Sequence, residues 1–315
     1  MKYIEYLNGL IKAETLVAEN CVLFGQNINA GSCLGGLTRN IKMHETGKIF
    51  NSTNAENSLA GFGFGLLMNG MSGVFLMKQL DFLLLSIDQL VNTYNIIRNI
   101  NETYPGGSFT IVATVVDSGY EGPQSSFNGF SDLCSIARIN GYTVTNKADA
   151  DYLFSNHFIK PGFRIIAISQ RLSKLNIDET MVPVRILNNG EIFQYKQGKD
   201  VTIVSFNFSN PQASKLATYL ENNEVCASHF HVNAATGGNM DVIINDIGIT
   251  KKVIIIDDSK SLQTPGDALL AQVCGMGIIK KIVLKRQFKK DWLNPVSDVF
   301  EIEVDEILKL IQVDE

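Results

Sequence analysis

Glu56 is the carboxylate in this sequence whose setting is best suited to chemistry. It is the only acid between Glu45 and Asp81, and the glycine-spaced run Gly61-Phe62-Gly63-Phe64-Gly65 follows it. Small residues at this spacing let a helix pack its backbone close to another backbone or to a flat ligand. Apolar sequence surrounds the helix, so the carboxylate is expected to be partly desolvated and held for a purpose. A structural interpretation stays open, because the helix dipole stabilises an acid at a helix N-terminus.

Two short apolar strands and two helices are predicted around Glu56. The strand from Lys48 to Phe50 leads through a polar turn into the helix that carries Glu56. The second strand runs from Gly73 to Met77 and precedes a helix that contains Phe82 and the pair Asp88-Gln89. These elements must position any site that uses the carboxylate.

The same alternation of strands and helices continues along the chain. Helical spacing predicts helices at 1–17, 38–47, 130–140 and 149–158, and β-rich apolar runs predict strands at 19–25, 108–116, 142–145 and 164–169. A second series begins at Val201 and places strands at VTIVSF, VCASHF, KKVIIIDD and KKIVLK, with helices between them. Strands that alternate with helices in this way predict parallel β-α-β units covered on both faces.

The predicted fold class is therefore α/β, with two doubly wound domains whose sheets are mainly parallel. Residues 1–175 form the first domain, 176–198 a linker with a small hairpin, and 199–315 the second domain. The hairpin is indicated by Asn188-Asn189-Gly190 between two apolar runs.

Composition describes an ordinary globular chain. The 315 residues carry a net charge of −5, with 45% hydrophobic and 19% charged residues, so neither disorder nor nucleic-acid binding is indicated. No apolar run reaches the roughly 18 residues that a membrane-spanning helix needs. The acid-containing N-terminal helix is unlike a secretory signal. Five scattered cysteines, without a close pair or metal-ligand spacing, predict reduced thiols in a cytoplasm.

Histidines are few, and one pair stands out. His229 and His231 flank Phe230 at strand spacing, so both point to one face of the predicted strand. They lack a third metal ligand, and no metal-binding residues are predicted in the chain.

The sequence around Glu56 resembles the pyrimidine-binding domain of thiamine-diphosphate enzymes. It is most similar to transketolase, deoxyxylulose-phosphate synthase and the beta subunit of the 2-oxo-acid dehydrogenase decarboxylase. The resemblance implies that Glu56 hydrogen-bonds the aminopyrimidine ring of thiamine diphosphate, which drives the ring to the imino tautomer that deprotonates the thiazolium carbon. It also implies that Phe82 packs on the same ring and that Asn54 and Gln79 complete the pocket. Beyond residue 175 the resemblance is mostly architectural, to the C-terminal domain of transketolase.

Two departures from the family concern residues close to the reaction. The loop from Gly119 to Pro123 resembles the family's Gly-x-Asp/Glu-Gly-Pro loop, but Gln124 and Ser125 follow where relatives have Thr-His. Ser125 would therefore occupy the place of the substrate-side histidine, and a serine cannot carry a proton near neutral pH. The acid that follows Gly25 in the dehydrogenase beta subunits is replaced by Gln26. A plain surface loop is the structural alternative for residues 119–126.

A third departure concerns the metal. The family binds the cofactor's diphosphate through Mg²⁺ held by Gly-Asp-Gly and a later asparagine, and no Gly-Asp-Gly occurs in this sequence. The resemblance therefore implies a separate diphosphate-binding subunit that holds the magnesium, and a homodimer of this chain within an α2β2 assembly.

The expected function is a subunit of a two-component, transketolase-like transferase that moves a two-carbon ketol or acyl unit to an aldehyde acceptor. The proline of the loop favours transketolase. Two alternatives stay open: the beta subunit of a 2-oxo-acid dehydrogenase or decarboxylase, and a non-catalytic scaffold or regulatory subunit derived from the same fold.

Overall fold

Two six-stranded sheets organise the protein, as seen in a computed structural model that describes residues 1–100, 106–119, 121–122, 126–287 and 300–312. We call strands β1–β6 with their helices the first unit, and β7–β12 with their helices the second unit. The α/β fold class predicted from the sequence is confirmed. The domain boundaries at 175 and 199 stay a prediction.

The first sheet is parallel throughout and has the strand order β2-β1-β3-β4-β6-β5. Its strands are β1 (Cys21–Gly25), β2 (Lys48–Asn51), β3 (Ser72–Met77), β4 (Ser108–Val115), β5 (Gly141–Val144) and β6 (Gly162–Ser169). Its helices are α1 (Tyr3–Val17), α2 (Glu56–Met68), α3 (Tyr94–Ile100), α4 (Phe130–Ala137) and α5 (Lys147–Leu153). Apolar side chains cover both faces, as expected for a parallel sheet.

The second sheet has the order β12-β11-β9-β10-β8-β7. Its strands are β7 (Arg185–Leu187), β8 (Ile192–Lys196), β9 (Val201–Phe206), β10 (Ala227–Val232), β11 (Lys252–Asp257) and β12 (Lys281–Arg286). Its helices are α6 (Asn210–Asn222), α7 (Asp241–Thr250), α8 (Pro265–Cys274) and α9 (Val304–Gln312). The predicted hairpin is β7–β8, and β8 pairs antiparallel to β10, so the hairpin forms one edge of this sheet.

The helix predicted at 38–47 is wrong: the segment consists of turns and irregular backbone. Some of its backbone groups bond to α1. The Asn8 amide donates to the Arg39 carbonyl (3.2 Å) and to that of the preceding Leu37 (2.8 Å), and the His44 N–H donates to the Thr15 carbonyl (3.1 Å). These bonds hold the segment along α1 in place of a helix of its own.

Two other helical regions differ from the sequence prediction. After β3 the chain forms a 3₁₀ helix (Leu80–Ser86) and a π-helical turn (Gln89–Thr93) before α3, instead of one continuous helix. No element was predicted at 304–312, where α9 packs Ile307 and Ile311 against the second sheet.

Helix α2 packs unusually close to the first sheet. A Cβ atom added at Gly63 would lie 2.2 Å from the Phe109 ring, whereas nothing lies within 4 Å of a Cβ added at Gly65. The glycine at 63 is therefore needed for this contact, and the glycine at 65 is not. Within the described ranges, no helix is long and apolar enough to cross a membrane.

The two glycines form a matched pair for a stability test. Gly63→Ala should lower the free energy of unfolding by about 1–3 kcal/mol, because Phe109 must shift. Gly65→Ala should raise it by about 0.5–1 kcal/mol, because alanine loses less entropy than glycine in a helix. Urea unfolding of both variants measures the difference, and equal effects at the two positions would contradict the close packing.

Candidate functional site

The predicted site residues lie at the carboxyl edge of the first sheet. The chain passes from β1 to β2 on one side and then to β3 on the other, so the strand order reverses beside β1. Doubly wound sheets bind ligands in the crevice outside the strand ends at this reversal. Gly25 ends β1 there, and a Cβ at this position would lie 2.2 Å from the carbonyl oxygen of Leu76. The sheet topology thus makes the edge next to Gln26 the expected ligand-binding position.

Glu56 is buried at this edge, with 9% of its surface exposed. It is the first residue of α2, where the helix dipole favours a negative charge. The Gln26 side-chain amide donates a hydrogen bond to Glu56 Oε1 at 3.3 Å. The residue that replaces the family's acid is therefore the one that contacts the predicted catalytic carboxylate.

The loop that carries Gln26 is held by the neighbouring strand. Asn51 Oδ1, at the end of β2, accepts the backbone N–H groups of Ile28 at 2.9 Å and Asn29 at 3.0 Å. These bonds hold the loop after β1 against the end of β2.

The remaining predicted cofactor-binding residues lie on the elements that flank Glu56. Phe82 is half-buried on the 3₁₀ helix, which packs against α2. Gln79 is 9% exposed and directly precedes that helix. Asn54 is exposed in the turn between β2 and α2. The structure thus brings Gln26 into contact with Glu56 and places Phe82 on an adjoining element; binding of a cofactor by these residues stays a prediction.

Asp81 is a site residue that the sequence analysis did not single out. It is 6% exposed, and its Oδ1 accepts the Phe127 N–H at 3.0 Å. Burial raises its pKa, whereas the hydrogen bond from Phe127 opposes the rise. Asp81 therefore ties the 3₁₀ helix that carries Phe82 to the end of the loop after β4.

The loop after β4 is compact where it is described. Ser126 Oγ accepts the Glu121 N–H at 2.9 Å and donates to the Gly122 carbonyl at 2.8 Å. Ser126 is fully buried, so these two bonds occupy its hydroxyl. Ser125, the residue expected in place of the substrate-side histidine, lies outside the described residues, as does Pro123 of the same loop.

A buried carboxylate supports the other end of this loop. Asp117 accepts the Ser169 hydroxyl at 2.6 Å and the Arg171 N–H at 2.8 Å. Burial raises the pKa of Asp117 to about 6, although the charge of Arg171 lowers it.

His229 and His231 share one face of β10, as predicted, and both are buried. His231 Nδ1 lies 3.0 Å from Ser205 Oγ, and the His229 ring packs on Tyr195 at 5.3 Å between centroids. Burial lowers the pKa of each imidazole to about 3. In the part of the chain that the structure describes, no group of three His, Cys, Asp or Glu side chains could hold a metal ion.

Comparison with known proteins confirms the fold of two mainly parallel six-stranded sheets that the sequence resemblance predicted. A solved structure described as a split gene transketolase, inactive beta4 tetramer, matches 98% of this chain and 96% of its own, with a TM-score of 0.68 and 15% identity. The pyruvate dehydrogenase E1 component subunit beta of Porphyra purpurea is 20% identical over 236 residues, which span 72% of this chain and 68% of that protein. No protein-family model matches the chain.

The contact between Gln26 and Glu56 can be tested by adding charge. Gln26→Glu would place a second carboxylate beside the first, and such a pair holds a shared proton at higher pH than a lone carboxyl does. Relative to the parent, the native variant would then bind more protons than its unfolded chain does, so its free energy of unfolding minus that of the parent should fall as pH rises from about 4.5 to 7. Urea unfolding of the variant and the parent across this range measures that difference.

Gln26→Met is the matched control, since it removes the hydrogen bond without adding a charge. Its pH dependence should follow that of the parent. Parallel curves for Gln26→Glu and Gln26→Met would contradict the contact.

The buried histidines predict acid sensitivity. The unfolded chain takes up a proton on each imidazole near pH 6.5, whereas the native chain does so near pH 3. The histidines therefore do not change the free energy of unfolding above about pH 6.5. Below that pH they lower it, by up to about 1.4 kcal/mol per pH unit for each histidine. His231→Gln should reduce this slope between pH 6 and 4 in urea unfolding, and an unchanged slope would contradict the assignment.

Proposed function

We propose that this chain is the pyrimidine-binding subunit of a two-component thiamine-diphosphate enzyme. The main observation behind this proposal is that Glu56 is buried at the strand-order reversal of the first sheet. Gln26 donates a hydrogen bond to it, and the 3₁₀ helix that carries Phe82 packs against α2. A desolvated carboxylate at a ligand-binding edge is costly to maintain, and cofactor binding gives that cost a purpose.

The side chains present fit the pyrimidine half of thiamine diphosphate. Glu56 offers a hydrogen-bond acceptor, Phe82 an aromatic face, and Gln79 and Asn54 amide groups at the same edge. When bound, this cofactor supplies the stabilised carbanion on which carbon–carbon bond transfer depends. The chain's own contribution is to orient the ring, to present one oxygen of Glu56 to it, and to exclude water from that carboxylate.

Gln26 donates a hydrogen bond to this carboxylate without adding a charge beside it. An amide donates to Glu56 Oε1 and carries no charge, whereas an acid at the same position would repel the ionised carboxylate. The other carboxylate oxygen is then the one we assign to the cofactor.

The diphosphate half requires a partner. This sequence lacks the Gly-Asp-Gly motif, so we assign Mg²⁺ and the diphosphate to a separate subunit that carries it. The names of the two relatives support this division, since one is a split gene transketolase and the other an E1 beta subunit. An α2β2 assembly in which the cofactor lies between the two kinds of subunit follows by analogy.

The reaction we propose is transfer of a two-carbon ketol or acyl unit to an aldehyde acceptor. The Gly-x-Glu-Gly-Pro loop resembles that of transketolase and carries no histidine. Ser125 would offer a hydroxyl to a substrate oxygen, and the proton carrier would come from the partner or from another histidine. The similarity to a pyruvate dehydrogenase beta subunit favours a 2-oxo-acid reaction as the second candidate.

The alternative from another class is a non-catalytic subunit. The absence of the substrate-side histidine from the loop favours this alternative. Retention of Glu56 in a buried position opposes it, because a scaffold gains nothing from a desolvated carboxylate.

Calorimetric titration of thiamine diphosphate with Mg²⁺ separates these proposals. The chain alone should show no binding. A mixture with a partner that carries Gly-Asp-Gly should bind, and Glu56→Gln should weaken that binding by about ten- to a hundredfold, as expected for loss of a hydrogen bond to a charged group.

Glu45→Gln is the matched control, because Glu45 is an exposed acid outside α2. It should bind as the parent does. A mixture that forms a complex but binds no cofactor would contradict the enzyme proposal and favour the non-catalytic scaffold. Tight binding to the chain alone would refute the split site.

A further inference from the structure

The second sheet reverses its strand order in the same way as the first. Strand β10 lies on one side of β9 and β11 on the other, so a second crevice is expected outside the ends of β9 and β11. Asn207 directly follows β9, and Asp258 directly follows β11. In many doubly wound folds this position binds a small ligand.

Here the polar groups of the second crevice bind the first unit. Asn128, which is 1% exposed, donates its side-chain amide to the Asp258 carbonyl at 2.7 Å and accepts the Asn207 amide at 3.0 Å. The Lys260 N–H donates to the Asn128 carbonyl at 2.7 Å, and Lys260 Nζ donates to the Ser126 carbonyl at 3.1 Å. Four hydrogen bonds therefore join this edge to residues 126–128.

The start of the same loop is tied to the same edge. Asp258, which is fully buried, pairs with Arg171 at 2.7 Å, and Arg171 lies 3.6 Å from Asp117 at the beginning of the loop. Asp258 Oδ1 accepts the Asn207 amide and the Phe208 N–H, each at 2.9 Å. Asp258 thus connects both ends of the loop after β4, the start through its carboxylate and Arg171, and the end through its backbone carbonyl and Asn128.

The connection continues to the proposed cofactor pocket. Phe127, next to Asn128, donates its N–H to Asp81, and Asp81 directly precedes Phe82 on the 3₁₀ helix. A displacement of Asn128 would move the donor that holds Asp81, and Asp81 is on the first turn of the helix that presents Phe82.

We propose that Asn128 is a positioning residue: through it, the strand-reversal crevice of the second unit anchors the loop after β4 and sets the 3₁₀ helix that carries Phe82. The contacts stand on the geometry alone, and their effect on the cofactor rests on the function proposed above. The second unit then supports the site through this loop.

Hydrogen exchange of this chain alone tests the anchor without any cofactor. Asn128→Ala removes both side-chain bonds and leaves the backbone bond from Lys260. Peptides that span 126–133 and 79–86 should exchange about tenfold faster, because the loss of a buried hydrogen bond frees its neighbours locally. Peptides from α1 and β6 should keep the exchange rates of the parent.

The matched control is Asn223→Ala, an exposed asparagine whose amide makes one bond, to the Tyr219 carbonyl at 2.8 Å. It should leave both peptides unchanged. If all peptides of the Asn128→Ala variant exchange faster by the same factor, Asn128 contributes only to global stability and the proposal is overturned. Unchanged exchange in the peptide 79–86 would also overturn it. If Asn128→Ala does not fold, Lys260→Met, which removes the bond to Ser126, should show a smaller change in the same peptides.

The assembled complex tests the link to the cofactor. Asn128→Ala should weaken thiamine-diphosphate binding by about tenfold in calorimetry, with kcat at saturating cofactor close to that of the parent. Unchanged affinity beside normal binding by the parent would overturn the positioning role. If the parent complex binds no cofactor, the proposed function fails, and hydrogen exchange alone decides whether the anchor exists.

Discussion

The burial of one carboxylate at a strand-order reversal is the constraint on which the rest of this structure depends. Glu56 loses most of its water, and an ionised group in that setting needs fixed dipoles around it. The N-terminus of α2 supplies one dipole and the amide of Gln26 a second. Both are in place because Gly63 lets α2 approach Phe109 and because Asn51 holds the loop after β1. Packing of the first unit and electrostatics of the site are therefore parts of the same arrangement.

The two units use the same topological feature in different ways. At the reversal in the first sheet, Glu56 and Gln26 are hydrogen-bonded to each other. The reversal in the second sheet places Asn207 and Asp258 against the first unit, where they bind Asn128 and Arg171. A fold that offers two such positions thus uses the second to hold a loop, and we propose that the first binds the cofactor.

Much of the fold and part of the site could be predicted from the sequence. Continuous apolar runs identified the strands of both sheets, because parallel strands are buried on both faces. Glu56 was singled out from its isolation among apolar residues and from the family resemblance; the structure buries it at the strand-order reversal, and its role stays a prediction. The helix predicted at 38–47 is wrong: groups of this segment bond to α1, and local periodicity does not report such long-range bonds.

The residues that sequence reasoning missed form hydrogen bonds with residues far away along the chain. Asp81 meets Phe127 across 46 positions, and Asn128 meets Asp258 across 130. An aspartate or asparagine in a loop has many solvent-exposed uses, so its type and neighbours do not indicate a buried contact so far along the chain. The contact between Gln26 and Glu56 was likewise unforeseen, although the absence of an acid at that position was noted.

The central claim is that Glu56 activates a cofactor, and the most direct test is exchange of the proton on the thiazolium carbon of thiamine diphosphate. Its replacement by deuterium can be followed by quenched-flow NMR in the assembled complex, with cofactor bound to both the parent and Glu56→Gln. Exchange should be slower by about 10²- to 10⁴-fold in the variant, which is the usual contribution of a positioned acid or base. Equal exchange rates with the cofactor bound in both would contradict it.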